Sequence, residues 1–192
     1  MQVIIMKINN IDKVINFRMP RYNELPNIGL YIDQVLAYMD EIFSELGITQ
    51  DNKLLTSSMV NNYVKQGVVP PTIKKRYYRE HLAYLVIVCM AKQVFTIEET
   101  AKMIKIQKSV YDIETAYDYI CVEMEKILEA VFTEQPLPQD SSKTMKPQRY
   151  FVRNTLISVV HKIYLQHLMS VYENDVQANL GVQAETEELN NK

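Results

Sequence analysis

Basic and aromatic side chains are concentrated in the second quarter of the chain. Between positions 53 and 81 six residues are basic and only Glu80 is acidic, a local net charge of +5 in a chain of 192 residues whose total is −2. Each Lys or Arg that meets a phosphate releases a counterion, so such a cluster favours binding of a polyanion. The six basic residues are Lys53, Lys65, Lys74, Lys75, Arg76 and Arg79.

A short polar helix is predicted inside this cluster, over residues 57–66. Thr56 is a good N-cap, Gly67 ends the helix, and Pro70-Pro71 prevent its continuation. Compact polar groups of this kind reach base edges or phosphates. The helix carries Ser57, Ser58, Asn61, Asn62 and Lys65.

The segment that follows, residues 72–79, is too short for a helix of its own and is predicted as a tight β-type loop. Its tyrosine hydroxyls can hydrogen-bond phosphate oxygens beside the cations. The candidate contacts here are Lys74, Lys75, Arg76, Tyr77, Tyr78 and Arg79.

Helices with apolar faces must position these groups. Apolar residues at three- and four-residue steps predict helices over 30–46, 80–94 and 148–172, with the second apolar nearly all round and therefore central. Thr96 and Glu99 form a capping box that begins a helix ending near 106. Scarce Gly and abundant helix formers agree with an all-α protein.

A further helix is predicted over 110–132, with Ser109 as its cap. Six apolar residues recur at steps of four and three, which is a heptad seam typical of a helix that packs along another helix. The seam lasts fewer than three heptads, so it does not by itself imply a free-standing coiled coil. It consists of Ile113, Tyr117, Ile120, Met124, Ile127 and Val131.

The order of these parts resembles the MerR-type winged helix-turn-helix family. Tyr63 lies four residues before the exit turn 67–70, Arg76-Tyr77-Tyr78 matches the family's wing, and Thr96 begins the matching next helix. The resemblance covers about 54–106 and implies a recognition helix at 56–66 and a wing at 72–79. It also implies that the 110–132 helix, with its heptad seam, is the dimerisation helix and that the seam forms a homodimer interface. The family usually has Arg where this chain has Asn61, and an aromatic residue where it has Asn62.

The flanking segments 18–22 and 25–34 also resemble a subgroup of bacterial proteins, the domain of unknown function 1836. The expected fold is therefore all-α with a small β wing, a MerR-like winged helix followed by long C-terminal helices. We expect an N-terminal arm (1–19), a DNA-binding domain (20–108), a two-helix region (109–172) with a linker at 133–147, and a disordered polar tail (173–192).

Catalytic and metal sites are not predicted. Neighbouring carboxylates such as Glu98 and Glu99 do not face each other on a helix, and His161 and His167 are too far around a helix to share a metal. Cys89 and Cys121 lie in apolar patterns and are expected to be buried thiols. No cofactor is expected, and no apolar run spans a bilayer.

The resemblance implies a dimeric, cytoplasmic, DNA-binding transcription regulator that reads duplex DNA with residues 56–66 and 72–79. The alternative is a protein-interaction module that kept the winged-helix fold and binds an acidic partner protein. Met and Tyr residues of the last two helices are candidates to line a pocket for a small-molecule effector, although ordinary helix packing explains the same pattern.

Overall fold

The computed structural model describes residues 11–48, 53–141 and 147–190, the last segment by its backbone alone beyond residue 176. Seven α-helices occur in these ranges, together with 3-10 turns at Tyr22–Glu24 and Ser44–Leu46. None of the described helices is long and apolar enough to cross a membrane. The helices are α1 (Ile11–Ile15), α2 (Ile32–Phe43), α3 (Ser57–Lys65), α4 (Arg79–Ala91), α5 (Ile97–Lys108), α6 (Ile113–Phe132) and α7 (Gln148–Asn190).

Side-chain caps fix the first residues of three helices. The Thr56 hydroxyl accepts the Met59 N–H at α3, and the Thr96 hydroxyl accepts the Glu99 N–H at α5, as the sequence predicted. Asp112 caps α6 through the Thr115 N–H. The prediction that Ser109 caps this helix is wrong. The Ser109 hydroxyl instead donates to a carbonyl of the preceding helix, because α5 continues to Lys108.

Helix α4 lies at the centre of the molecule. All eleven residues from His81 to Ala91 are buried, as the nearly continuous apolar sequence predicted. Helices α2, α6 and α7 contact α4, and α6 packs along α7. One connected apolar cluster extends from Val14 to Val171. The predicted 20–108 domain and 109–172 region therefore share a single core.

The heptad seam of α6 is part of this core. Tyr117, Met124 and Ile127 are completely buried within the single chain, Ile120 is 4% exposed, and Ile113 and Val131 are partly buried against the same cluster. A second copy cannot reach the four buried residues of the seam while α4 and α7 cover them. The prediction that this seam forms a homodimer interface is therefore corrected, because the seam packs inside the chain. A heptad pattern indicates packing against a helix, but it does not show whether that helix belongs to the same chain or to a second copy.

The predicted β wing is present in the described part of the chain only as two isolated antiparallel bridges, Leu30 with Tyr77 and Ile73 with Arg76. Helix α7 continues to Asn190, so the prediction of a disordered tail from 173 does not agree with its backbone. The tail has no proline and many helix formers. Residues 1–10 of the predicted arm, 142–146 of the linker and 191–192 of the tail lie outside the described residues.

The N-terminal segment is held on α6 by partly buried polar contacts. The Arg21 guanidinium donates to both Glu125 carboxylate oxygens, each at 2.6 Å, and the Met19 N–H donates to the same carboxylate at 2.8 Å. The Tyr22 N–H donates to Asp118 at 2.7 Å. The hydrogen bond to Glu125 raises the pKa of Arg21 further above its ordinary value. Two α6 carboxylates thus fix where the segment enters the fold.

A third carboxylate of α6, this one fully buried, joins α6 to α7. Glu123, which is fully buried, accepts the Arg153 Nε–H at 2.8 Å and the Ser141 N–H at 2.9 Å. Arg153 also donates to the Pro138 carbonyl. The charge is neutralised and its lone pairs are used, which is the condition for burying a carboxylate at low cost. The connection between the two helices is therefore pinned at residues 138–141.

Replacing Glu125 by Ala should lower the free energy of unfolding by about 2 kcal/mol, because the change leaves the Arg21 guanidinium and the Met19 N–H without their acceptor in a partly buried place. Urea denaturation followed by circular dichroism measures this. The matched control is Glu129→Ala, an exposed glutamate on the same helix, which should change stability by less than about 0.5 kcal/mol. Equal effects would contradict the proposed role of Glu125.

Candidate nucleic-acid interface

Helix α3 has one buried face and one exposed polar face. Val60 and Tyr63 are buried on the inner side, and the Tyr63 carbonyl accepts the N–H groups of Val68 and Val69 just after the helix. Gly67 adopts a φ of 70°, which is the left-handed conformation that ends the helix. The outer face is solvent-exposed and carries Ser58, Asn61, Asn62 and Lys65, with Ser57 half-buried at the first position.

The basic loop after α3 contains a tight turn. Ile73 and Arg76 exchange two backbone hydrogen bonds, at 3.2 and 3.0 Å. The two residues between them, Lys74 and Lys75, have φ values of 51° and 60°. Two successive left-handed residues are the pattern of a type I′ hairpin turn, which normally contains Asn-Gly. The turn therefore exposes two adjacent ammonium groups at its tip.

The turn is attached to the segment before α2. Leu30 and Tyr77 exchange backbone hydrogen bonds of 2.8 and 2.9 Å. The Arg76 guanidinium donates to the Gly29 carbonyl at 3.0 Å and to the Tyr31 hydroxyl at 2.7 Å, and it lies 4.2 Å from the centre of the Tyr31 ring. Arg76 is thus a structural link between the two segments.

Glycine at position 29 is required by this link. A Cβ atom there would lie 2.8 Å from Cδ of Arg76 and 3.0 Å from the Tyr78 ring, closer than carbon atoms normally approach. Gly29 therefore lets the Arg76 side chain pass close to the backbone on its way to Tyr31.

Two further groups fix the start of α4 below the turn. The Arg79 guanidinium donates to the carbonyls of Leu25 and Asn23, both at 3.0 Å. The buried His81 ring accepts the Tyr78 N–H at Nδ1, at 3.1 Å, and its Nε2 lies 3.1 Å from the Pro71 carbonyl. In the tautomer that makes both hydrogen bonds, Nδ1 is the acceptor and Nε2 donates to the Pro71 carbonyl.

These contacts divide the eleven predicted DNA-binding residues. The exposed set is Ser58, Asn61, Asn62, Lys65, Lys74 and Lys75. Tyr77 is removed from the interface because its side chain is 4% exposed, and burial raises the pKa of its hydroxyl. Arg76 and Arg79 are engaged with carbonyl groups within the chain, and Ser57 and Tyr78 are half-buried.

The sequence analysis missed part of this surface. Ile28, Tyr31 and Ile73 are all more than half exposed, and their segments are joined by the Leu30–Tyr77 and Ile73–Arg76 bridges. Apolar side chains therefore lie beside the two turn lysines. Gly29 between apolar residues was the only local signal of a close approach, and nothing in the sequence identified Arg76 as its cause.

A family model described as "Domain of unknown function (DUF1836)" matches residues 20–120. The chain belongs to the DUF1836 family. No curated protein and no solved structure matches this chain.

The DUF1836 region contains the complete candidate surface. It begins at Pro20, next to the Arg21 that binds Glu125, and extends through α2 to α5 into the first turns of α6. The polar face of α3, the lysine turn and the segment 28–31 that supports the turn are all included. The helix pair formed by most of α6 with α7 lies beyond the match.

The chemistry available in this DUF1836 surface is that of polyanion binding. Among the described residues no salt bridge joins Lys65, Lys74 or Lys75 to a carboxylate. The part of the chain that the structure describes contains no group of three or more His, Cys, Asp or Glu that could hold a metal. The surface presents exposed ammonium groups that form no salt bridge with the described part of the chain, together with the amide and hydroxyl groups of α3.

Replacing Lys75 by Gly should raise the free energy of unfolding by about 1 kcal/mol, because glycine adopts a positive φ without the steric cost that Cβ adds. Urea denaturation gives the value. Lys75→Ala is the control, since it removes the same charge and keeps Cβ, and it should not stabilise the protein. Stabilisation of equal size in both variants would show that charge repulsion between the lysines, rather than backbone strain, is relieved.

Proposed function

We propose that the protein binds duplex DNA through the polar face of α3 and the Lys74–Lys75 turn, and that it acts as a transcription regulator. The observation that carries the proposal is the placement of two exposed lysines, which form no salt bridge with any described residue, in a strained turn that follows a helix with an exposed polar face. The two ammonium groups can bind phosphates, and amide side chains on an exposed helix face can read base edges.

The backbone of the turn adds weight to this proposal. A two-residue turn with both φ values positive is most stable with Asn-Gly, yet the chain has Lys-Lys there. Stability alone does not favour that choice. Strained positions are common where a side chain is needed for binding. We infer that the two ammonium groups are kept for a ligand of opposite charge.

Helix α3 has dimensions that suit a recognition helix. Its nine residues extend about 14 Å, and a helix of this width fits the major groove. Asn62 Oδ1 accepts a hydrogen bond from Gln66. Asn61 is exposed, and no described residue forms a hydrogen bond with its side chain. Asn61 is therefore the residue that we expect to contact an adenine edge.

The MerR-like assignment belongs to the same proposal. What supports it is the order of the parts: a capped polar helix, a left-handed Gly67, a tight basic turn paired with the segment before α2, the buried helix α4, and α5 with its capping box. In this arrangement α3 enters the major groove and the turn contacts the adjacent backbone.

An acidic protein partner is the alternative, and the exposed Ile28, Tyr31 and Ile73 side chains favour it. Apolar side chains beside cations are a common composition for a protein-binding surface. DNA binding does not explain why Ile28 and Ile73 are exposed, unless they touch sugars or base edges in the minor groove.

We predict that the protein binds duplex DNA with an affinity that falls with salt, and that the triple variant Lys65→Ala, Lys74→Ala, Lys75→Ala flattens the plot of log affinity against log salt by up to about three units. Fluorescence anisotropy over a salt series measures the slope. The control removes three exposed lysines elsewhere, Lys13, Lys102 and Lys126, with the same change in net charge.

The control should keep most of the slope. Absence of binding at low salt would refute the proposal, and equal losses in both triple variants would show that only net charge matters.

Asn61→Ala should weaken sequence preference more than affinity for random DNA. Selection from a random duplex library with the native chain gives a preferred sequence, and the variant should lose about 1–3 kcal/mol of discrimination at one base pair because a bidentate amide–adenine contact is lost. Asn23→Ala, an exposed asparagine outside α3, is the control. An unchanged preference in the Asn61 variant would remove this residue from base reading.

Competition separates the two candidate functions. A random Glu/Tyr copolymer should displace labelled duplex poorly if the surface is built for DNA. Displacement as effective as that by unlabelled duplex, lost in the double variant Ile28→Ser, Ile73→Ser, would favour the acidic protein partner instead.

A further inference from the structure

The outer face of α7 carries an exposed apolar stripe. Leu165 is 55% exposed, Met169 59%, Tyr172 53% and Val176 58%. These residues are separated by four, three and four positions, so they lie on one line along the helix. This spacing is that of a helix seam packed against a second helix. Within the described part of the chain no helix covers it.

The same stretch of α7 is also apolar on its inner face. Val159, Val160, Ile163 and Val171 are buried in the core, roughly half a turn around from the exposed stripe. A surface helix normally has one apolar face, and a helix that is apolar on opposite faces needs cover on both. The core covers one face. Among the described residues the outer stripe has only the wall of a pocket that Met169 shares with Gly47, Ile48 and Lys53.

Charged residues beside the stripe indicate which molecule packs against it. Lys162 and Glu173 are exposed, eleven positions apart, which is about three turns, so both lie on the same side of the stripe. In an antiparallel pair of identical helices, residues on the same side of the seam face each other. Lys162 of one copy then meets Glu173 of the other, and the contact occurs twice.

We propose that the protein forms an antiparallel homodimer through the outer face of α7. The Lys162–Glu173 register places the two-fold axis near residues 167 and 168, with Leu165 and Met169 closest to it. An apolar groove of about 420 Å³ beside Tyr172, lined also by Leu137 and Leu168, extends the apolar surface on the other side of the stripe. Complementary charge in this one register is what favours a second copy over an unrelated protein.

This surface replaces the α6 seam as the site of pairing, because the seam residues are buried inside each chain. The proposal stands on the exposed stripe and its flanking charges, independently of DNA binding, and it is tested without DNA. Its failure would leave the DNA proposal intact, and the reverse is also true.

Sedimentation equilibrium tests whether the stripe pairs. The full chain should be dimeric at about 100 µM and dissociate on dilution toward about 1 µM or below. The double variant Leu165→Glu, Met169→Glu should be monomeric throughout. The control Ile106→Glu places the same charge at an exposed apolar residue of α5 and should remain dimeric. A monomeric native chain, or a dimer unaffected by the double variant, would overturn the proposal.

Charge reversal tests the partner and the register. Lys162→Glu alone and Glu173→Lys alone should each raise the dissociation constant about three- to tenfold, because both copies then bring like charges together. The double reversal should restore dimerisation, since each copy again offers one charge of each sign. Failure of the double reversal to restore it would exclude this register.

Cross-linking tests the helix direction. In the proposed register two copies of residue 169 are offset by about 5 Å along the axis, whereas two copies of residue 176 are about 26 Å apart. A short bismaleimide should therefore join Met169→Cys dimers and leave Val176→Cys chains unjoined, with the buried Cys89 and Cys121 unreactive in both. Efficient joining of Val176→Cys would indicate a parallel pair and overturn the antiparallel arrangement.

Discussion

Helix α4 must be covered on every side, and this constraint organises the fold. Its residues from His81 to Ala91 are all buried, so no single neighbouring layer is enough. Helices α2, α6 and α7 each supply part of the cover. A central helix without a polar face has no preferred orientation of its own. The groups at its N-terminus, where Arg79 and His81 bind backbone carbonyls of distant segments, help to fix that orientation.

The same polar groups connect the core to the candidate DNA-binding surface. His81 lies at the start of α4 and holds Tyr78 and Pro71, while Arg76 binds Gly29 and Tyr31. These contacts hold the basic turn at both of its ends, although the turn contains almost no β-structure of its own. Binding surfaces on short loops commonly depend on such support, because a loop that is already ordered loses less entropy on binding.

Many positions in the basic segment look alike in sequence and differ in the fold. Arg76 and Lys75 are adjacent, yet Arg76 is tied to a carbonyl and an aromatic ring while Lys75 is exposed at the turn tip. Tyr77 and Tyr78 are also adjacent, yet Tyr77 is in the core. A charge count treats these residues equally. The difference arises from the pairing of Leu30 with Tyr77, a contact between positions 47 residues apart.

The sequence by itself determined those features that depend on interactions between residues close together in the chain. Side-chain periodicity and hydrogen bonds within one turn account for the helices of the 30–106 segment, the caps at Thr56 and Thr96, the left-handed Gly67 after α3, and the central position of α4. Tertiary structure alone decided where the heptad seam of α6 packs, which basic residues remain free, and which face of α7 is left uncovered. A sequence pattern shows that a face is apolar or a group is charged, but its partner is chosen by the free energy of the whole packed chain.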